Sequence, residues 1–439
     1  MAIKSSRHNS KTKSKNIRSL MVKNKLVLFV VFFAAIASTI LIVSHAAVPT
    51  VSVEPENGAL ATQATLVNDS AASGGKAVQF KAASSVDPRC ASGGSFLWSN
   101  LESCGWAGPS NTGPDLSQCP GGVLTNNSGA TTRTITISTA NTTISCQNIT
   151  GGLVITAQNV TIKNSKVAWD GGGAGGHGVI TINDGASATI DHVDTDGLNH
   201  THACIFNSGV KGGTLAYSAV IKSVNCHNVN DGFFSWWWSS DTNAGAGSDF
   251  IIQDRYLHDF TQNAANGHID GYQTEGAQNG TITHNTFHMN EVPNDVQVSG
   301  GGMDSALALW DDYNATSPVG KNTTNFNISN NLIAGGGFSI YAEDRSPSST
   351  DQVGGDEETQ IHVTNNKFST IIEGGCVGSF GVWFYRGPGL SSANVWPPYY
   401  GGPTDGWNQG GSTRTGNVIL ESGTNVDGGN PTVGGKLCA

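Results

Sequence analysis

Apolar and polar positions alternate with a period of two in short stretches that return along residues 161–368 of this 439-residue chain. The copies read TIKNSKV at 161–167, TIDHVDT at 189–195, IIQDRYL at 251–257, TITHNTF at 281–287, NISNNLI at 327–333 and HVTNNKF at 362–368, with a degenerate copy, VIKSVNC, at 220–226. Taking Ile162, Ile190, Ile221, Ile252, Ile282, Ile328 and Val363 as equivalent gives steps of 28, 31, 31, 30, 46 and 35 residues. A unit of that length cannot bury its own apolar face, so it must stack on its neighbours. Thr, Ile, Val and Phe favour extended segments, and the intervening Gly and Asn favour turns. The pattern therefore predicts an all-β chain of stacked coils, a parallel β-helix. Asn pairs at Asn330–Asn331 and Asn365–Asn366 suit turns, and one strand spacing apart they also suit hydrogen-bonded amide ladders.

A second column follows the first. HGVITIN at 177–183, HACIFNS at 202–208, DGFFSWW at 231–237, DGYQTEG at 270–276, SALALWD at 305–311, GFSIYAE at 337–343 and GVWFYRG at 381–387 superpose, so each coil carries at least two strands.

The chain begins differently. Residues 1–25 hold eight Lys or Arg and no acid, and residues 26–43 form a run of 18 without a charge, followed by Ser44-His45-Ala46-Ala47. This reads as a cleaved export signal or an uncleaved anchor with its basic end in the cytoplasm. Either reading puts the remainder outside the membrane, secreted or held at the cell surface. Eight cysteines, none in a CxxC arrangement, agree with disulfides in an oxidising compartment. Cys204 and Cys226, about one coil apart, are candidates for a clip between neighbouring coils. Beyond residue 46, 15 Lys and Arg remain against 33 Asp and Glu, a formal charge of −18. Such a surface lacks the basic footprint of a nucleic-acid binder, and a monomer is expected.

The organisation is then an export segment at 1–47, a linker region at 48–130, the solenoid at 131–420 and a turn-rich tail at 421–439 that ends near Cys438. Within the linker, residues 49–81 resemble the opening strands of carbohydrate-binding β-sandwich modules, whose turn and strand are echoed at Ala72–Phe80. A complete module needs about a hundred residues, so this is a stub. Residues 82–129, rich in Gly, Ser and Pro and holding three cysteines, sit where a cap over the first coil belongs.

The repeats, together with DGYQTEGAQNGTITHNTF at 270–287, resemble the right-handed parallel β-helix proteins of the pectate-lyase-like superfamily over about 131–420. That resemblance implies an extracellular polysaccharide as partner. It leaves the activity open among lyase, hydrolase and non-catalytic adhesin, because one fold hosts many functions. DGYQTE is similar to the segment that supplies calcium ligands in pectate lyases, which makes Asp270 and Glu275 the candidate calcium ligands. The lyase RxPxxR segment is matched only in part by Arg345-Ser346-Pro347-Ser348-Ser349-Thr350. The GHG of polygalacturonases occurs at Gly176-His177-Gly178 without the RIK that should follow.

Stacking also nominates residues directly, because equivalent positions on successive coils stand about 4.8 Å apart. Asp231 and Asp270 share the upstream end of the second column, with His202 above and His268 two residues before Asp270. Glu275, Asp311 and Glu343 fall at or within one residue of a common position downstream. Asp231, Asp270, Glu275 and His268 are thus the candidate acid–base residues, although Asp-Gly at 231–232 and 270–271 equally suits a turn. Carboxyl groups one coil apart approach the roughly 5 Å of a retaining glycosidase, and two coils apart the roughly 10 Å of an inverting one. The same oxygens could instead hold calcium. Trp236, Trp237, Tyr272, Trp310 and Tyr341 offer flat rings for stacking on sugars, and Asp311, Glu343 and Arg345 complete the expected groove lining.

Overall fold

The protein is described from a computed structural model, over residues 64–68, 76–80, 87–171, 178–236, 246–262, 267–292, 302–310, 323–343, 359–386 and 411–429. Two units separate, at 1–84 and 85–439. In the first, Ala64–Asn68 and Lys76–Phe80 pair as an antiparallel hairpin, the part of the module-like stub that is described.

The second unit is a parallel β-solenoid. Successive coils contribute strands to three sheets, and among the described residues these strands pair in parallel with their counterparts one coil away. In the first sheet Ile162 pairs with Ile190, Ile190 with Ile221, Ile221 with Ile252, Ile252 with Ile282, Ile282 with Ile328, and Ile328 with Val363. These are the residues chosen from periodicity alone, and all are buried in one continuous core. The file extends past the visible repeats, to Ile144 above and Arg414 below. Arg414 closes it with its guanidinium carbon 5.1 Å from the centre of the Trp383 ring, a cation–π contact on the last coil. The second sheet includes 193–196, 225–227, Tyr256–His258, Thr286–Met289 and Leu332–Gly335. The third includes 201–207, 229–236, His268–Glu275, Gly302–Trp310, Phe338–Glu343 and Gly381–Arg386.

The repeated polar pair has two separate tasks. Its first residue takes a left-handed turn two positions after the core aliphatic: Asn164, His192, Ser223, Asp254, His284, Asn330 and Asn365 all have φ between 46° and 56° or close to it, with Asn365 at 57°. Its second residue points inward from Asn285 onward. Asn285 donates to Asn331 Oδ1 at 2.9 Å, Asn331 to Asn366 Oδ1 at 2.9 Å, Asn366 to Asn417 Oδ1 at 3.0 Å, and Asn417 to Asp427 Oδ1 at 2.8 Å. Each amide oxygen also accepts the backbone N–H of the preceding rung. A buried polar file is stable only when its members are satisfied in this way.

The segment expected as a cap divides. Residues 125–127 do pair with Gln147–Thr150 at the first coil, and Cys119–Cys146 ties them there. The part before them runs along the flank of the second sheet. It starts at the last coils, where Trp98 Nε1 donates to Ser369 Oγ at 2.9 Å and Gly94 N to Glu421 Oε1 at 3.3 Å. It then passes Ser223, whose carbonyl accepts from Gly113 N at 2.9 Å. Leu97 and Leu101, with the Cys90–Cys104 disulfide, form a small core against Leu332. Burying this strap spares the coils an exposed apolar flank.

Cys204–Cys226 is the expected clip, and Cys376 is also disulfide-bonded. Three described disulfides agree with an oxidising, extracellular setting. Among the described residues no helix is long and apolar enough to cross a membrane, and the apolar run 26–43 lies outside them.

Candidate functional site

The Asp-Gly pairs are not turns. Both lie inside strands, Asn225–Trp236 and His268–Glu275, and neither glycine adopts the left-handed conformation. The glycines are there for space on the core side. A Cβ on Gly271 would lie 2.5 Å from Phe287 Cδ1 and 2.6 Å from Ala306 O, and one on Gly232 would collide with Leu257 Cδ2 and Gly271 O. Phe233 and Tyr272, the next residues along each strand, face the core as well, so the alternation of sides breaks here and leaves Asp231 and Asp270 on the outer side, beside the part-exposed His202 and Asp304.

There the two acids meet on adjacent rungs. Asp270 N donates to Asp231 Oδ1 at 3.0 Å, and Asn230 Nδ2 donates to the same oxygen at 3.0 Å and to the carbonyl of His268. His202 Nε2 stands 3.1 Å from Asp231 Oδ2, out of line for a hydrogen bond. Ser305 Oγ donates to Asp270 Oδ1. On the outer rim His268 Nδ1 lies 3.3 Å from Asp304 Oδ2, and ligand-capable atoms of His268, Asp270 and Asp304 all fall within 4.8 Å of one another. The side chains of His202, His268 and Asp304 are 26%, 44% and 31% exposed, whereas Asp231 and Asp270 are fully buried, so the imidazoles and Asp304 stand between the acids and solvent.

Burial dominates the electrostatics. It pushes Asp270 well above the usual carboxylate range, with repulsion from Asp304 and Asp231 adding to the rise and the Ser305 hydrogen bond opposing it. Asp231 is also raised by burial, against the pull of His202 and the hydrogen bonds it accepts. Two carboxylates this close and this dry cannot both stay charged unless something positive joins them.

Sequence reasoning missed Asp304, Asn230 and Ser305, and gave His202 only a supporting place. Asp304 escapes the column because the register slips: Ile269 pairs with Met303 but Asp270 with Ser305, which leaves Asp304 as the extra residue of a bulge turned toward His268. Its acid, one residue before SALALW, was visible, but the slip was not.

The remaining nominations need correction. Glu275 does not join Asp270: five strand residues separate them, ~16 Å at strand rise, so they cannot share one calcium ion. Its register partners are Trp236 and Trp310, and Trp310 in turn pairs with Glu343, so an indole interrupts the expected file of acids. Tyr272 is no sugar platform. It points into the core, stacks on Phe233 at 5.7 Å and hydrogen-bonds Ser235 Oγ at 2.9 Å, because its position falls on the inward side of the pleat. Trp310 is also buried, its ring edge-on to His268 at 5.3 Å and to Tyr341 at 5.8 Å. Tyr341 is half-buried with one face stacked on Phe384 at 4.3 Å. Trp236 and Glu343 lie on their strands, but their side chains, like Trp237, Asp311, Arg345 and His177, fall outside the described residues.

Comparison of the chain with protein-family models, curated proteins and solved structures gave no match. Function must therefore be argued from the site.

Proposed function

We propose that this chain is an extracellular, polysaccharide-binding member of the right-handed β-helix proteins resembling pectate lyases, and that it cleaves its glycan by acid–base chemistry at Asp231 and Asp270. One observation carries the reading. Two carboxylates on adjacent rungs, linked through Asp270 N and Asp231 Oδ1, stand between the solvent-facing imidazoles of His202 and His268. Adjacent-rung carboxyl groups approach the roughly 5 Å separation that serves a nucleophile and an acid in retaining glycosidases. The imidazoles give protons a route between the buried acids and bulk water. His268 and Asp304 form the rim that a glycan would meet first.

A panel of acidic and neutral polysaccharides, assayed for new reducing ends and for the ultraviolet absorbance of unsaturated products, tests this and separates hydrolysis from elimination. Asp231→Asn and Asp270→Asn should each lower turnover by at least about a hundredfold, and undiminished activity removes them from the mechanism. The burial of Tyr272 and Trp310 favours a second reading, a non-catalytic adhesin or rod. Retention on a glycan array without any product would support it.

A further inference from the structure

We propose that His268, Asp270 and Asp304 form a binding site for a divalent transition metal ion of the zinc class. This deepens the reading of the same site, and its test is independent of turnover.

The donor set comes first. Two adjacent rungs bring one imidazole nitrogen and two carboxylate oxygens within 4.8 Å of one another. His268 Nδ1 and Asp304 Oδ2, at 3.3 Å, are already separated by about the edge of a tetrahedron with metal–ligand bonds near 2.1 Å, ~3.4 Å. Three protein ligands with a further position left for water or substrate is the arrangement of catalytic rather than structural zinc sites.

A second, independent observation points to a cation. Around the cluster, three buried polar atoms lack a hydrogen-bond partner among the described residues: Asn230 Oδ1, Asp231 Oδ2 and Asp270 Oδ2. All three are acceptors. Buried polar atoms are normally satisfied, and of the three Asp270 Oδ2 belongs to the donor set itself, a buried acceptor that a cation would complete and an anion would repel. Asp270 is fully buried.

The ligands are also held in place. Asn230 Nδ2 fixes the His268 carbonyl, Trp310 packs edge-on against the His268 ring at 5.3 Å, Ser305 Oγ anchors the other oxygen of Asp270, and the bulge carries Asp304. Such supporting contacts orient ligands and tune affinity. The identity of the ion follows from the ligands. An imidazole beside two carboxylates suits zinc and its neighbours, whereas calcium seeks six to eight oxygens. With Asp270 holding the cation, the proton transfer of the proposed reaction falls to Asp231 and His202, which stay outside the ligand set, and Asp270 serves that reaction as a ligand.

The test uses the full chain, stripped with chelator and titrated calorimetrically with Zn²⁺, and with Ca²⁺ and Mg²⁺ for comparison. One Zn²⁺ per chain should bind, more tightly than Ca²⁺. His268→Ala and Asp304→Asn, both at solvent-facing positions, should each weaken it on the order of 100-fold, while the circular dichroism and melting temperature of the stripped protein stay unchanged. His362→Ala, at a half-buried imidazole elsewhere, should leave affinity intact. No saturable Zn²⁺ binding, binding indifferent to His268→Ala and Asp304→Asn, or tighter binding of Ca²⁺ would overturn the proposal. Because no glycan is present, absence of cleavage does not affect the result, and failure to bind metal leaves the acid–base reading to its own assay.

Discussion

Truncating Asn331 to Ala isolates the contribution of the internal amide file. Asn331 Oδ1 accepts from Asn285 N and Nδ2, both at 2.9 Å, and Asn331 Nδ2 donates to Ile282 O at 3.0 Å and Asn366 Oδ1 at 2.9 Å. Removing the amide strands the buried backbone N–H of Asn285 and deletes three further hydrogen bonds. At about 1–3 kcal/mol for the orphaned donor and about 1 kcal/mol for each remaining bond, the loss is about 4–6 kcal/mol before partial collapse of the site. The neighbour provides the control. Asn330 is exposed in a left-handed turn at φ 53°, so Asn330→Ala should cost only about 1–2 kcal/mol of backbone strain. Guanidinium unfolding followed by circular dichroism measures both. Asn331→Asp adds a signature that packing alone does not produce. A carboxylate there would face Ile282 O and Asn366 Oδ1 as an acceptor among acceptors, so the variant should be weakest at neutral pH and recover in acid as the new carboxyl protonates. A loss for Asn331→Ala below about 1 kcal/mol, or no larger than that of Asn330→Ala, would refute the idea that the file supports the later coils.

Two other expectations follow from single contacts. Asp194, which burial would raise, is held down at about 2 by His227 and Lys166, and His227 is raised in return by Asp194 and Asp196. The depressed acid stabilises the fold above pH 3.8 and loses that contribution as pH falls towards 2, while the raised His227 contributes below pH 6.5 and fades as pH rises past its folded value. Asp194→Asn should therefore cost about 2 kcal/mol near pH 5, with the loss shrinking towards pH 2; a pH-independent change in melting temperature would contradict the pairing. Gly271→Ala should destabilise by about 1–3 kcal/mol through the clash with Phe287, and it should lower any glycan-cleaving activity further by shifting Asp270. An unperturbed melting temperature in that variant would mean the glycine is not there for space.

Local chemistry determined the architecture. A core aliphatic, a residue tolerant of left-handed φ and an inward Asn recur in each later unit, and that is enough to fix a coil, its register and the Ile file from Ile162 to Val363. The same reading joined Cys204 to Cys226, because sequence separation near one coil is spatial adjacency in a solenoid. It also brought Asp231 and Asp270 together. The rest depended on interactions with no local trace. A one-residue slip between strands turned Asp304 toward His268, and the inward side of the pleat claimed Tyr272 for the core. The strap took the flank rather than the end because Leu97, Leu101 and Leu332 bury one another there. Periodicity constrains which residues can be neighbours from coil to coil, whereas the side on which each side chain emerges, and what covers it, is set by packing summed over the whole stack.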